Sequence, residues 1–278
     1  MARTVGIGYQ DFGDLITNDN FYIDKTHFIK EWWENNDVVT LISRPRRFGK
    51  TLNMSMLEYF FSIKYAGRSD LFQHLSIWTK EEYRKLQGTY PVIFLSFASI
   101  KETSFVNTRK QICQIIKNLY NEYDFLLKDN ILNEDEKEAF RKVSPDMEDY
   151  LASGSLKTLS YYLMRYYGKK VIILLDEYDT PMQEAYINGF WDDLVSFIRN
   201  LFNATFKTNP YMARAIMTGI TRISKESIFS DLNNLEIVTT TSDLYADCFG
   251  FTQQEVWCAL DEYGLEDKKD KVRDWYDG

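Results

Sequence analysis

Short apolar runs alternate along this chain with longer segments in which apolar residues recur at helical spacing. Apolar runs of roughly four to eight residues are typical of buried strands, whereas a period of about 3.6 residues is typical of helices that bury one face. The predicted strands cover residues 38–43, 92–97, 171–176, 213–218 and 236–239. The predicted helices cover residues 51–64, 104–128, 134–152, 155–167 and 190–206. This order predicts an α/β fold in which helical crossovers connect parallel strands.

The helical stretch from about residue 101 to 168 is longer than one crossover requires. It therefore predicts a helical insertion within a core domain of residues 1–250. Beyond residue 250 two shorter helical patterns meet at Gly264, and they predict the beginning of a helical lid over residues 251–278. Because the chain ends on the turn signal Asp277-Gly278, we expect this lid to be cut short.

Composition narrows the class of protein. Hydrophobic residues make up 45% of the chain and charged residues 27%, which is typical of a folded globular domain. The net charge of −8 argues against a general electrostatic grip on nucleic acid or anionic lipid, although the run Arg44-Pro45-Arg46-Arg47 is locally basic. The three cysteines show no CxxC spacing, and His27 and His74 do not lie at a spacing recognisable as a zinc site. With no signal-peptide pattern and no apolar stretch of about 20 residues, the sequence predicts a cytoplasmic protein without a membrane partner.

The segment after the first predicted strand carries the strongest chemical signal. The strand leads into a loop that ends in Gly49-Lys50-Thr51, and a helical pattern follows, which is the context of a Walker A phosphate-binding loop. In such a loop the glycine lets the backbone approach the phosphates, the lysine contacts the β- and γ-phosphates, and the threonine hydroxyl is a ligand of Mg²⁺. The predicted nucleotide-binding residues are Arg46, Arg47, Phe48, Gly49, Lys50, Thr51 and Leu52.

One position departs from the GxxxxGK[ST] pattern. The first glycine would fall at residue 44, which is an arginine. Arginine tolerates a positive φ angle poorly, so we expect the loop entry to bend differently or to be strained. Taken alone, Gly49-Lys50-Thr51 is also consistent with a chance tripeptide after a basic loop.

The third predicted strand ends in two carboxylates, as a Walker B strand does. Asp176 at its tip is the predicted Mg²⁺ ligand, and Glu177 is the predicted base that activates the attacking water. An acidic pair at the end of an apolar run is equally consistent with a solvated turn, but its occurrence after a candidate phosphate loop favours the catalytic interpretation. A glutamate directly after the aspartate also favours a P-loop NTPase three-layer sandwich with strand order 5-1-4-3-2.

Other polar residues have two or more interpretations each. Thr218, at the end of the fourth strand, is predicted either to contact the attacking water or γ-phosphate or to be an ordinary strand terminus. Arg222 is predicted either to supply positive charge to the γ-phosphate or to form a surface ion pair. Arg46 and Arg47 are predicted to contact nucleotide phosphates, a nucleic acid, or the nearby carboxylates of Glu177 and Asp179.

The identity of the base is less well defined by the sequence. The run Asp24-Lys25-Thr26 lies about one helix before the first strand and is a candidate lining of a base pocket. No [NT]KxD guanine-binding signature occurs, which favours ATP over GTP.

Five stretches belong together, and they are Val5-Gly6-Ile7-Gly8, Phe21-Tyr22-Ile23-Asp24-Lys25-Thr26, Arg44-Pro45-Arg46-Arg47-Phe48-Gly49-Lys50-Thr51, Leu175-Asp176-Glu177-Tyr178-Asp179 and Thr218-Gly219-Ile220-Thr221-Arg222-Ile223-Ser224-Lys225. Together they resemble the AAA-ATPase-like family of predicted bacterial ATPases, and the resemblance runs from about residue 5 to the end of the chain. In that family an arginine at position 44 is the ordinary form. The resemblance implies Mg²⁺-dependent ATP binding and hydrolysis, a helical lid, and a following PD-(D/E)XK nuclease-like domain.

These observations leave two functions open. The chain is predicted to be a P-loop ATPase that switches or drives a C-terminal nuclease-like domain missing from it, with ATP and Mg²⁺ as cofactors. The alternative is a nucleotide-dependent binding module with little or no hydrolysis. Asp135-Glu136-Lys137 has the spacing of a nuclease motif but lies in a helical stretch, so we assign no nuclease activity to it. The sequence leaves open whether nucleic acid binds and whether the chain forms a homo-oligomer.

Overall fold

A five-stranded, all-parallel sheet forms the centre of the molecule. The computed structural model describes residues 3–220, 228–229 and 232–276. The strands are β1 (Val39–Ser43), β2 (Val92–Ser96), β3 (Val171–Asp176), β4 (Met212–Gly219) and β5 (Leu235–Val238). Their spatial order is β2-β3-β4-β1-β5, which read from the β5 edge is the 5-1-4-3-2 order expected from the sequence.

The register of the sheet brings the carboxyl ends of its central strands together. Ser43 at the end of β1 is paired with Gly219 of β4, and Asp176 at the end of β3 is paired with Ser96 of β2. Every residue of β1 and β3 is buried, as expected for strands that are covered on both faces. Polar residues that follow these strands therefore meet at one edge of the sheet.

Helices lie on both faces of this sheet. Along the described residues, the α-helices are α1 (Phe12–Thr17), α2 (His27–Asn35), α3 (Lys50–Phe61), α4 (Glu81–Leu86), α5 (Phe105–Glu122), α6 (Glu134–Lys142), α7 (Asp149–Tyr167), α8 (Thr180–Asn188), α9 (Trp191–Phe202), α10 (Gln253–Glu262) and α11 (Lys269–Tyr276). No helix among the described residues has both the length and the apolar character needed to cross a membrane.

Alternation along the strands divides the core into two hydrophobic layers. On β3, Ile173 and Leu175 belong to the layer that includes α5, α7 and α9. Ile172 and Leu174 face the opposite layer, which includes α1, α2 and α3. The second layer packs α3 directly against the sheet, and this fixes the position of the loop that precedes α3.

The helical stretch before β3 departs from the prediction at three points. The helix expected over residues 104–128 ends at Glu122, and α7 runs without a break through residues 152–155, where two helices were expected to meet. The third departure is a break inside the second predicted helix. A helix over residues 134–152 was expected, but α6 ends at Lys142 and α7 begins at Asp149. Pro145 lies in the break, and a proline inside a helix removes a backbone donor and clashes with the preceding turn. Asn133 starts α6 with a capping box, because its side chain accepts from the Glu136 amide while the Glu136 carboxylate accepts from the Asn133 amide.

Candidate functional site

Residues 44–49, here called the arginine loop, connect the end of β1 to the start of α3. The Arg44 amide donates a hydrogen bond to the Gly219 carbonyl (3.2 Å), which extends the pairing of β1 with β4 by one step. Positive φ angles occur at Arg47 (68°) and Gly49 (77°) and not at Arg44. The strain expected at Arg44 is therefore absent there, and the unfavourable backbone conformation falls on Arg47 instead.

The Arg44 side chain is buried and holds the loop against the segment that follows β5. Its guanidinium donates to the Tyr245 carbonyl (3.3 Å) and lies 5.5 Å from the centre of the Phe249 ring. Burial lowers the pKa of Arg44 from its ordinary value. This anchoring role was missed from the sequence, where the only signal was the departure from glycine at this position.

Lys50, the first residue of α3, is buried beneath the loop. Its ammonium donates to the carbonyls of Arg44 (2.9 Å) and Pro45 (2.8 Å). Burial lowers the pKa of Lys50, and the nearby carboxylates of Asp176 and Glu177 oppose that effect. An ammonium has three donors, and these two bonds are the ones that Lys50 forms with the described residues, which leaves one donor unused among them.

Asp176 joins three elements of the fold at the edge of the sheet. The side chain has no exposed surface, and its Oδ2 accepts a hydrogen bond from the Thr51 hydroxyl of α3 (2.8 Å). Its Oδ1 accepts from the Thr218 hydroxyl of β4. Burial raises the pKa of Asp176, while the two hydroxyl donors and the Lys50 charge act in the opposite direction.

Glu177 leaves the strand in an unusual backbone conformation. Its φ angle is 51°, a region that is uncommon for residues other than glycine. The half-buried carboxylate accepts a hydrogen bond from the Thr180 hydroxyl (3.0 Å), and the Glu177 amide donates to the Thr218 hydroxyl (3.4 Å). The side chain therefore lies next to the Asp176–Thr218 pair without joining it.

Asp179 fastens the ends of β3 and β4 to each other. Its Oδ2 accepts from the Ile220 amide and from the Gln183 side chain, both at 3.0 Å. A Cβ atom at Gly219 would approach the Asp179 side chain to 2.7 Å and Tyr178 to 2.6 Å. Only a glycine permits this close approach between the two strand ends.

Arg46, Arg47 and Phe48 project from the loop as exposed residues. Within the part of the chain that the structure describes, neither arginine forms a hydrogen bond or an ion pair. The expected alternative, in which they pair with Glu177 or Asp179, is therefore not observed in this structure. Phe48 instead packs on Gly250, and the Gly250 amide donates to the Phe48 carbonyl (3.1 Å).

A cavity of about 230 Å³ opens beside the loop and the first turn of α3. Its lining residues are Val5, Gly6, Gly8, Tyr9, Leu15, Phe21, Tyr22, Ile23, Lys25, Arg47, Phe48, Gly49, Leu52, Asn53, Cys248, Gly250 and Phe251. Of the three residues expected to line a base pocket, only Lys25 borders the cavity. The Asp24 carboxylate accepts instead from the Thr26 and Ser76 amides.

The structure thus brings most of the predicted site residues together and leaves a few apart. Four of them converge at the edge of the sheet, namely Lys50, Thr51, Asp176 and Thr218, and Glu177 is adjacent to them. The cavity is lined by Arg47, Phe48, Gly49 and Leu52, while Arg46 is exposed in the loop. Arg222, for which positive charge near a γ-phosphate was predicted, lies outside the described residues.

Comparison with known proteins places these features in a family. A relative from Azotobacter chroococcum mcd 1, described as an uncharacterized protein in the vnfD 5′ region, is 27% identical over 280 residues, which cover 99% of this chain and 48% of the relative. The chain therefore spans about half the length of that relative. No solved structure matches the chain significantly. The family model described as "Predicted AAA-ATPase" matches residues 6–229. The chain belongs to this AAA-ATPase-like family, whose description associates it with ATP binding.

Proposed function

We propose that this domain is a P-loop ATPase, which binds Mg·ATP at the arginine loop and hydrolyses it. The observation that carries the proposal is the hydrogen-bonded group Thr51–Asp176–Thr218, in which the start of α3 and the ends of β3 and β4 share one buried carboxylate. Threonine, aspartate and a second strand-end hydroxyl at the edge of a parallel sheet are the groups that phosphoryl-transfer sites of the P-loop kind use.

The start of α3 is suited to bind phosphate. Among the described residues, no side chain caps its first turn, whose N-cap residue is Gly49, and no atom lies within 4 Å of where a Cβ at that glycine would be. The first amides of a helix lack partners within the helix, and the helix dipole places partial positive charge there. The ammonium of Lys50 adds a full positive charge at the start of α3, and its third donor is directed to neither of the two carbonyls.

The residues around Asp176 fit a bound Mg²⁺. Asp176 is fully buried yet forms no ion pair with any described residue, and a buried carboxylate is normally paired with a cation or a metal. Thr51 and Asp176 would hold the ion through their oxygens. When bound, Mg²⁺ supplies charge neutralisation at the β- and γ-phosphate oxygens.

The catalytic roles then follow from position. Glu177 is proposed as the base that accepts a proton from the attacking water, because its carboxylate lies directly after the Asp176 position and is only half-buried. Thr218 holds Asp176 and the Glu177 amide in place, so it orients both carboxylates. Arg222 stays a candidate for stabilising charge on the γ-phosphate.

The cavity beside the loop is proposed to accept the adenine base and ribose. It adjoins Gly49 and Leu52, so a nucleotide whose phosphates lie at the start of α3 would place its base there. Its walls are mainly apolar and aromatic, as in most small-molecule sites. Arg47 belongs to the loop and also lines the cavity, which supports a contact between its guanidinium and the phosphates.

The nucleotide cycle is further proposed to act on a C-terminal nuclease-like domain. The chain covers 48% of its Azotobacter relative, so a protein of that length has room for a second domain. No residue of the present chain is proposed to cut nucleic acid.

Steady-state phosphate release distinguishes hydrolysis from simple nucleotide binding. Glu177→Gln is expected to keep Mg·ATP binding and to lower turnover by a factor on the order of 10², because the amide preserves shape and removes the base. Glu184→Gln, on α8, is the matched control and should turn over as the unchanged protein does. Negligible turnover of the unchanged protein would instead support the alternative, a binding module regulated by nucleotide.

A further inference from the structure

Four potential metal ligands meet where α2 contacts the segment that anchors the arginine loop. His27 and Glu31 lie on α2, and Asp247 and Cys248 lie after β5. One ligand atom from each of the four residues lies within 4.8 Å of every other one. His27 and Glu31 are four residues apart, so they share one face of α2.

Three of the six distances between these atoms are close to the edges of a tetrahedral site. His27 Nε2 is 3.5 Å from Asp247 Oδ1, and Cys248 Sγ is 3.6 Å from Glu31 Oε2 and 3.8 Å from Asp247 Oδ1. Zinc bonds of roughly 2.0–2.3 Å at tetrahedral angles place neighbouring ligand atoms about 3.3–3.6 Å apart. The remaining three distances are at most 4.8 Å, so a contraction of a few tenths of an ångström along the first three edges, and of up to about 1.5 Å along the others, would complete the site.

The cluster is poorly explained as packing alone. His27 Nε2 is inaccessible to solvent and has no hydrogen-bond partner among the described residues. The buried Cys248 thiol faces two carboxylates, which repel each other when no cation lies between them. Lys25, a cation near Cys248, directs its ammonium to the Glu255 carboxylate (2.6 Å) and the Asp247 carbonyl (2.5 Å).

We propose that His27, Glu31, Asp247 and Cys248 bind a structural zinc ion. Imidazole, thiolate and carboxylate together favour zinc over magnesium or calcium, which prefer ligand sets made of oxygen. Four protein ligands leave no open position, so the role is structural and not catalytic. Asp247 is exposed, which gives the ion a path of entry.

The position of this site connects it to the nucleotide cavity. The Cys248 carbonyl accepts a hydrogen bond from the Asn53 side chain (2.8 Å), and Cys248 itself lines the cavity. A bound ion would therefore join α2 to the segment that holds Arg44 and Phe48. The spacing of the histidines gave no indication of such a site, because its two pairs of ligands are more than 200 residues apart in the sequence.

Metal titration without nucleotide tests the proposal independently of the ATPase assignment. Chelator-treated protein should bind one equivalent of Zn²⁺ in competition with a chromophoric chelator. Co²⁺ in place of Zn²⁺ should produce thiolate-to-metal charge-transfer absorption. Cys248→Ser and His27→Ala should each weaken Zn²⁺ binding by at least about tenfold, and Cys248→Ser should abolish the charge-transfer band.

The other cysteines and histidine supply matched controls. Cys258→Ser and His74→Ala should bind Zn²⁺ as the unchanged protein does and keep the band. If the Cys248→Ser protein does not fold, Glu31→Gln on the half-buried face of α2 tests the same loss of affinity. Absence of stoichiometric Zn²⁺ binding, or unchanged binding in Cys248→Ser or Glu31→Gln, would overturn the proposal.

Discussion

Two carboxylates of this domain, Asp176 and Glu58, are removed from solvent to different extents and have different neighbours. Asp176 lies wholly inside the protein, with a threonine hydroxyl donating to each of its oxygens. Glu58, on α3, is half-buried, and its surroundings include the like charges of Glu122 and Asp11. Burial raises the pKa of Glu58 to about 7, and the Lys64 charge only partly opposes this. Asp176 is the carboxylate that we propose binds Mg²⁺, whereas Glu58 is expected to be partly protonated at neutral pH.

The pKa of Glu58 makes stability depend on pH in a defined direction. A carboxyl whose pKa is higher in the folded state contributes stability that is complete below its unfolded pKa of 4.5 and is lost as pH rises through about 7. Glu58→Gln avoids that loss, so at pH 8 it should raise Tm by roughly 2–4 °C, equivalent to about 1 kcal/mol. Below pH 5 the variant and the unchanged protein should melt together. Thermal melts across this pH range, with Glu184→Gln as control, check the prediction, and a difference that does not change with pH would contradict it.

At the scale of elements, the arginine loop combines buried residues, which hold it in place, with two exposed arginines, Arg46 and Arg47, here called its rim. Arg44 and Lys50 are buried and bonded to backbone carbonyls, whereas Arg46 and Arg47 are exposed and unpaired among the described residues. Arg47 also has a left-handed backbone conformation, which costs energy unless something else stabilises it. A free basic rim above a proposed phosphate site favours phosphate contact over a structural ion pair.

Reversing both rim charges separates the possible roles of Arg46 and Arg47. If they contact the γ-phosphate, Arg46→Glu with Arg47→Glu should weaken ATP binding by at least about tenfold more than ADP binding. Arg84→Glu with Lys85→Glu on α4 makes the same charge change at exposed positions and should leave both affinities unchanged. Equal losses for ATP and ADP with a lower Tm would indicate a structural role. Lower DNA affinity and salt dependence with ATP binding intact would indicate a nucleic-acid contact.

The junction between the ends of β3 and β4 is predicted to have no room for a side chain at Gly219. A methyl group there would press on the buried Tyr178 ring and the Asp179 carboxylate, so Gly219→Ala should destabilise the domain by about 1–3 kcal/mol. At Gly154, inside α7, a methyl group would meet no atom within 4 Å, so Gly154→Ala should stabilise the domain by about 0.5–1 kcal/mol. Chemical denaturation of both variants checks these opposite signs. A Gly219→Ala protein as stable as the unchanged one would contradict close packing at this junction.

Local pattern accounts for most of the sheet and for part of the site. Each predicted strand lies within one residue of the observed bounds, because buried parallel strands are continuous apolar runs bounded by polar residues. The convergence of Lys50, Thr51 and Asp176 follows from the parallel sheet itself. The break between α6 and α7 was missed although Pro145 marks it. Arg44 as an anchor could not be foreseen, because its partners lie some 200 residues away and no local period links them.

At the scale of the whole molecule, α10 forms ion pairs with two residues of the N-terminal segment. Arg3 pairs with Glu262 (2.9 Å), and Lys25 pairs with Glu255 of α10 (2.6 Å). The second pair is largely shielded from solvent, and Lys25 also lines the cavity. Nucleotide in the cavity would therefore touch a residue that is bonded directly to α10, which offers a route from the proposed ATP site to the C-terminal domain that we propose follows it.

Calorimetric titration of Mg·ATP into the unchanged protein and into Lys50→Ala tests the central proposal most directly. Removing the ammonium deletes a charge-assisted contact with phosphate worth roughly 1.5–3 kcal/mol, so affinity should fall by at least about tenfold. Lys85→Ala, which removes an equal charge from an exposed position on α4, should bind as the unchanged protein does. Circular dichroism establishes that both variants are folded. Mg·ATP affinity in folded Lys50→Ala equal to that of the unchanged protein would contradict the assignment of the arginine loop as the phosphate site.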